Sequence, residues 1–197
     1  PAWPTAASVT RLIQQRLARL GAEALSLARC AAVAGADLSP ALAAHVLGRR
    51  PLELADAWAE LESAQVLRDG AFAHDLIAEA ALASLPGAIA RHLHGEVAQW
   101  LQGHDGDRAR MAWHWLAAGE ALKAMPHLRA AAQRAQASWQ SEEAARLYLQ
   151  AGNILEAAGQ RSDAFDVYLR AAEALAPVRT DAQLDALAVT LEGLVDD

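Results

Sequence analysis

The stretch Gln65–Pro86, QVLRDGAFAHDLIAEAALASLP, decides the fold. Two short extended runs open it, Val66-Leu67-Arg68 and Ala71-Phe72-Ala73, with Asp69-Gly70 between them. Asp-Gly supplies the positive φ angles of a type I′ turn, so the dipeptide between apolar runs predicts a β-hairpin. Directly afterwards Leu76, Ile77, Ala80 and Ala81 recur at helical spacing, with Asp75 in the first turn, where a carboxylate favours the helix N-terminus. The pattern predicts a helix from Asp75 to Leu85, stopped by Pro86-Gly87. One hairpin interrupting an otherwise helical chain points to a winged-helix-like domain.

Working upstream, residues 1–8 read as a proline-bearing lead-in, and Ser8 as the cap of a helix in which Leu12, Ile13, Leu17 and Leu20 fall on one face. Gly21 ends that helix. A second is predicted from Ala22 to Ala34, with Leu25, Leu27, Ala28, Ala31 and Ala32 inward. Ser39-Pro40 pairs a capping serine with proline at the first helical position, where proline is best tolerated. Gly48 closes this short helix, and Pro51 to Ala64 makes another with Leu52, Ala55, Trp58, Ala59 and Leu61 toward the core. In a DNA-reading winged helix that last element would enter the groove. Here it carries Glu53, Asp56, Glu60 and Glu62 and no basic residue, which opposes contact with phosphates.

Downstream, a longer helix is expected from Ala88 to Leu101 with Ile89, Leu93, Val97, Trp100 and Leu101 as its apolar stripe. His104-Asp105-Gly106-Asp107 reads as a linker and sets a domain boundary. Beyond it the chain repeats at an offset of 40, pairing Ala112 with Gly152, Trp115 with Leu155, Gly119 with Gly159, Ala124 with Ala164, Leu128 with Tyr168 and Ala131 with Ala171. Small and large residues fall where tetratricopeptide repeats place them, because small residues let paired helices approach closely. The units run over about 105–138 and 145–178, with Ser138 to Ala144 as an insertion, Pro177 near the terminal-proline position and a partial third unit over 181–197. The expected fold class is therefore all-α with one small β-hairpin: a winged-helix-like domain with flanking helices over 1–104, then an α-solenoid of tetratricopeptide-like helical hairpins over 105–197.

Composition removes several function classes. The net charge of −7 divides into −2 before residue 105 (8 basic, 10 acidic) and −5 from there on (9 basic, 14 acidic), so neither part has the basic footprint of a nucleic-acid binder. Lys123, the sole lysine, lies between Leu122 and Ala124 and cannot complete a GxxxxGK[ST] phosphate loop. Cys30 is the single cysteine, so no internal disulfide is available; it reads as a small buried hydrophobe and favours a cytoplasmic location. No spanning segment is expected, the apolar runs being broken by Asp37, Pro40 and arginines. The histidines lack partners at metal-ligand spacing, and Ser84 and Ser141 lack a nucleophile context, so no metal site and no enzyme activity is expected. Ser141-Glu142-Glu143 reads as a helix cap with a charged first turn.

The order of modules resembles the region downstream of the ATPase in STAND-class regulators, the signal-transducing ATPases that include large LuxR-type transcriptional activators. RLARLGAEALSLARCAAVAGADLS resembles their post-ATPase helices, and FAHDLIAEAALASLPGAIARHLHGEVAQWL their most recognisable segment. Phe72-Ala73-His74-Asp75-Leu76 is similar to the "MHD" motif of related immune ATPases, with Ala73 at the methionine position. There the histidine reaches the β-phosphate of ADP and holds the closed state. The resemblance implies that His74 senses nucleotide; read from the residues alone, the commoner role at this position is a cap or a partly exposed packing residue. It also implies a non-catalytic regulatory fragment, with ATP or ADP bound by an upstream ATPase domain and no cofactor within these 197 residues.

Protein, peptide or inducer binding is expected on the repeats, with DNA reached only through another domain and no membrane partner. The tetratricopeptide groove positions are Arg146, Leu149, Asn153 and Glu156, with Trp113 and Leu116 from the first unit. The same residues can be a solvated face or one packed on a further repeat. The competing class is a stand-alone winged-helix DNA-binding transcription regulator, opposed by the acidic 51–64 segment and the charge.

Overall fold

The computed structural model describes residues 6–176 and 181–195. The chain is all-α with one hairpin and divides into two compact units, Pro1–His104 and Asp105–Asp197. In the first, the helices are α1 (Ala6–Leu17), α2 (Ala22–Ala34), α3 (Pro40–Leu47), α4 (Ala55–Ser63), α5 (Asp75–Ala83) and α6 (Gly87–Gly103). The strands β1 (Leu67–Arg68) and β2 (Ala71–Phe72) lie between α4 and α5 and pair antiparallel, Leu67 with Phe72 and Arg68 with Ala71. Asp69 and Gly70 both take positive φ, 51° and 79°, the combination a type I′ turn demands. The hairpin is locked one step further by the Ala73 N–H donating to the Val66 carbonyl at 3.0 Å.

The first core gathers Leu27, Ala28 and Ala31 of α2, Leu54, Leu61, Val66 and Leu67 around the hairpin's entry, and Ile77 and Ala81 of α5. Cys30 is in it as a buried thiol, its pKa pushed up to about 12 by burial. Ser39 caps α3 as expected, its Oγ accepting from the Leu42 N–H at 3.1 Å, and Gly48 ends the helix in the left-handed region. The α1–α2 turn is anchored from a distance: the Gly21 N–H donates to Glu60 Oε1 of α4 at 2.7 Å.

Four sequence readings change. Helix α1 starts at Ala6, so Ser8 lies inside it rather than capping it; residues 1–5 of the expected lead-in fall outside the described part. Leu12 is 62 % exposed. The segment after Pro51 begins as a 3-10 turn over Pro51–Leu54 before α4. Because a 3-10 turn advances with 3.0 residues and an α-helix with 3.6, the buried face is out of phase with the one expected. Leu54, Ala57 and Leu61 are buried, while Leu52 is 85 % exposed and Ala55 and Ala59 face solvent. Finally, Ile89 is exposed because α6 uses Val97, Ala98 and Leu101 as its buried stripe.

The second unit is a run of antiparallel helices, α7 (Arg108–Ala117), α8 (Ala121–Ala137), α9 (Ser141–Ala157), α10 (Arg161–Leu175) and α11 (Asp181–Val195), each packed on the next. Asp107 caps α7 by accepting from the Arg110 N–H at 3.0 Å. The three turns from α7 to α10 are built alike. Gly119, Trp139 and Gly159 sit at φ 83°, 60° and 73°. Each turn is closed by one bond of 2.9 Å: Glu120 to the Trp115 carbonyl, Gln140 to Ala135, Gln160 to Leu155. The expected insertion at Ser138–Ala144 is therefore a three-residue turn followed by the first residues of α9, with Gln140 at the N-cap and Ser141 already helical. The sequence pattern missed it because tryptophan stands where the neighbouring turns have glycine. Pro177 lies outside the described residues.

The tightest packing joins α9 to α10. Gly152 lies under the Tyr168 ring, and a Cβ there would stand 2.7 Å from Cδ1 and 2.8 Å from Cζ. Ala112 and Leu128, the equivalent pair one unit earlier, are both buried, so volume removed from one helix is returned on the other. Among the described residues no helix is long and apolar enough to cross a membrane.

Candidate functional site

His74 holds the N-cap position of α5 in extended conformation, φ −153° and ψ 143°, fixed there because β2 ends two residues before it and the helix begins one after. Its carbonyl accepts from the Ile77 N–H at 2.9 Å, while its imidazole makes no capping bond. The ring is exposed. It shares a groove of about 240 Å³ with Leu12, Ile13 and Arg16 of α1 and Leu76 and Ile77 of α5. Ile77 is buried and anchors the floor, whereas Leu12 and Leu76 are 62 % and 53 % exposed and form an apolar rim. Sequence periodicity places Leu12 and Leu76 each on the apolar face of its helix and gives no role to Arg16.

The six expected groove residues belong to the second unit. On α9, Arg146, Leu149, Asn153 and Glu156 follow one another at intervals of three and four and form one stripe. Arg146 is held by Glu143 through Nε to Oε2 at 2.8 Å and a second guanidinium bond to Oε1 at 2.5 Å. That fork keeps the Glu143 carboxyl below its ordinary range. Asn153 and Glu156 are exposed and also make contacts within the unit. The Tyr168 hydroxyl lies 2.7 Å from Asn153 Oδ1 and 2.8 Å from Glu156 Oε2, and its single proton is shared between these acceptors. Burial first, and Glu156 second, raise the Tyr168 pKa. Leu149 is half-buried. On α7, Trp113 is 55 % exposed and packs edge-on against the buried His114 ring, and Leu116 is half-buried. All six keep accessible surface: Trp113, Arg146, Asn153 and Glu156 are exposed, and Leu116 and Leu149 are half-buried.

Two further features were absent from the sequence reading. Trp139 projects from the α8–α9 turn 92 % exposed, above Gln140, Ser141, Glu142, Glu143 and Arg146 in a groove of about 580 Å³. Aligning the turns at an interval of 20 rather than 40 would have placed it opposite Gly119 and Gly159. The Trp115 indole N–H is buried without an acceptor, the only such side-chain atom among the described residues, and Lys123 Nζ lies 4.9 Å from its ring centroid.

In the acidic segment of the first unit, two carboxylates are used internally: Glu53 accepts from the Arg50 backbone N–H at 2.8 Å, and Glu60 from Gly21. Asp56 and Glu62 face solvent. Comparison with protein-family models, with curated proteins and with solved structures found no match to this chain.

Proposed function

We propose that the chain is the non-catalytic regulatory portion of a signal-transducing ATPase or transcription regulator of the class its sequence resembles. In this reading the hairpin-bearing unit answers the nucleotide state of an ATPase domain through His74, and the helical repeats bind a protein or an inducer. The observation that carries it is the placing of His74. An imidazole at a rigid strand-to-helix junction, exposed, with no capping duty and rimmed by two exposed leucines, is presented for a neighbouring domain rather than used within its own. Leucine rims of this kind cost free energy in water and mark contact surfaces. ATP or ADP is held by that ATPase domain, DNA is reached through another domain, and the location is cytoplasmic. Direct DNA reading is disfavoured because Asp56 and Glu62 would face the phosphates.

The test uses a chain that carries the ATPase domain. A hydrogen bond to a phosphate oxygen contributes about 1.5–3 kcal/mol, so His74→Ala speeds ADP release about ten- to a hundredfold and raises the active fraction. Unchanged ADP release refutes the sensor role. For the repeats, Trp113→Ala and Leu149→Ala weaken partner capture, and capture indifferent to both refutes the assignment of these residues.

A further inference from the structure

Charge is segregated along this chain. Residues 1–22 hold Arg11, Arg16 and Arg19 and no acidic residue, a net +3, while residues 23–197 hold 14 basic and 24 acidic residues, a net −10. The three arginines belong to α1 and the turn that ends it, and all three are exposed. Ile13, Leu17 and Leu20 turn the other face of this element to the core. None of the three guanidiniums makes a hydrogen bond or an ion pair among the described residues. Arg16 gains from its place in the last turn of α1, where a cation favours the helix dipole, but that role needs one arginine rather than three. Arg16 and Arg19 line a groove of about 440 Å³, with Leu12 on the same wall and Glu60 and Ala64 on the other. Glu60 does not neutralise them: its Oε1 accepts from the Gly21 N–H at 2.7 Å, and it pairs with neither arginine. The groove therefore joins unpaired cations to an exposed leucine.

What complements it carries carboxylates interleaved with apolar side chains, the pattern of an acidic amphipathic helix. A membrane surface would need the apolar face of α1, which the core has already taken. A nucleic acid would bring its phosphates against α4, where Asp56 and Glu62 are exposed, and against the net −10 of the remaining chain.

We propose that the exposed face of α1 receives an acidic amphipathic helix of a partner protein, its carboxylates on Arg11, Arg16 and Arg19 and an apolar side chain beside Leu12. Each guanidinium can take both oxygens of one carboxylate. The proposal goes beyond the nucleotide reading, since it uses neither His74 nor an ATPase domain.

The probe is an alanine-based helical peptide bearing leucine and glutamate on one face, compared with the same peptide carrying glutamine for glutamate, added to the whole chain. Binding is followed by calorimetry and by the arginine Nε–H signals of α1. The glutamate peptide binds saturably, and the glutamine peptide about tenfold more weakly. Arg16→Gln and Arg19→Gln each weaken the glutamate peptide about two- to fivefold, and Leu12→Ala about three- to tenfold. These side chains are exposed, so the thermal midpoint is unchanged and loss of the site is separated from loss of the fold. His74→Ala leaves peptide binding intact, which keeps this result apart from the sensor reading. Equal binding of the two peptides, or binding unchanged in the Arg16→Gln, Arg19→Gln double variant, would overturn the proposal. Binding lost in Trp113→Ala instead would place the peptide on the repeats and overturn it as well. So would phosphatidylserine vesicles or duplex DNA that bind more tightly than the peptide and are released by the double variant.

Discussion

Replacing Gly152 by alanine sets two effects against each other, and the structure decides which wins. On an exposed helix the change would stabilise by about 1 kcal/mol, because glycine loses more backbone entropy on folding. Here the new methyl would sit 2.7–2.8 Å from two Tyr168 ring atoms, where an ordinary carbon contact needs about 3.5–4.0 Å. Tyr168 is 2 % exposed and cannot simply swing out. Its ring is held by α10, and its hydroxyl by Asn153 and Glu156 on α9 itself. Either α9 and α10 separate by roughly an ångström or the ring shifts and loses its acceptors. Overpacking of this kind costs about 1–3 kcal/mol, and weakening a hydrogen bond to a charged acceptor adds about 1.5–3 kcal/mol. Net of the propensity gain, Gly152→Ala destabilises by about 1.5–5 kcal/mol. Urea denaturation followed by far-UV circular dichroism measures it as a lowered midpoint. Gly152→Ala combined with Tyr168→Leu, which reproduces the Ala112 and Leu128 pair of the preceding unit, recovers part of the loss. A neutral or stabilising Gly152→Ala, or a double variant whose effects simply add, would refute the close-packing argument.

Three other outcomes are open to measurement. Glu60→Ala removes the acceptor of the Gly21 N–H and destabilises the first unit by about 1–2 kcal/mol, whereas Glu62→Ala, on the same helix but facing solvent, changes stability by less than about 0.5 kcal/mol; equal effects would show that the long-range bond is not formed. Burial lowers the pKa of His94, and burial followed by the charge of Arg108 lowers that of His127. The unfolded chain therefore binds protons that the folded one refuses, and stability falls as pH drops through about 6.5, by at most about 1.4 kcal/mol per pH unit for each histidine. Midpoints at pH 7.5 and 5.5 check this, and a drop as large in the His94→Gln, His127→Gln double variant assigns it elsewhere. Gly70→Val places a β-branched residue at φ 79° and destabilises the hairpin by about 1–2 kcal/mol, measured in the same denaturation assay; no loss would contradict the turn type.

The parts of this fold that were legible in the sequence are those fixed by neighbours along the chain. Asp69-Gly70 announced its turn and Ser39-Pro40 its cap because φ preference and side-chain reach act within four residues. The face of α4 was misassigned because a single 3-10 turn at Pro51–Leu54 shifted its phase, and nothing in the apolar spacing records the change of pitch. Repeat register puts Asn153 and Glu156 on one stripe of α9 with Arg146 and Leu149. Their engagement with Tyr168, 15 and 12 residues away, depends on how close α9 and α10 come, which Gly152 sets. The string around His74 singles it out as a candidate, but the groove beside it draws Leu12 and Arg16 from a helix some 60 residues earlier in the chain. The link from Gly21 to Glu60 spans 39 positions and has no local trace.

The like-built turns at Gly119, Trp139 and Gly159 give helix and connector together a module of 20 residues, half the length of the hairpin unit. The array can thus be parsed in two frames, α7 with α8 or α8 with α9, and both frames preserve every turn. Excising two modules, from Ala121 to Gln160, would fuse α7 to α10 through an unchanged Ala118-Gly119-Glu120 junction and keep chain direction alternating. Excising one would set a helix running the wrong way against its new neighbour. Length variation among proteins built on this array is therefore expected in steps of 40, even though the smallest structural module is 20.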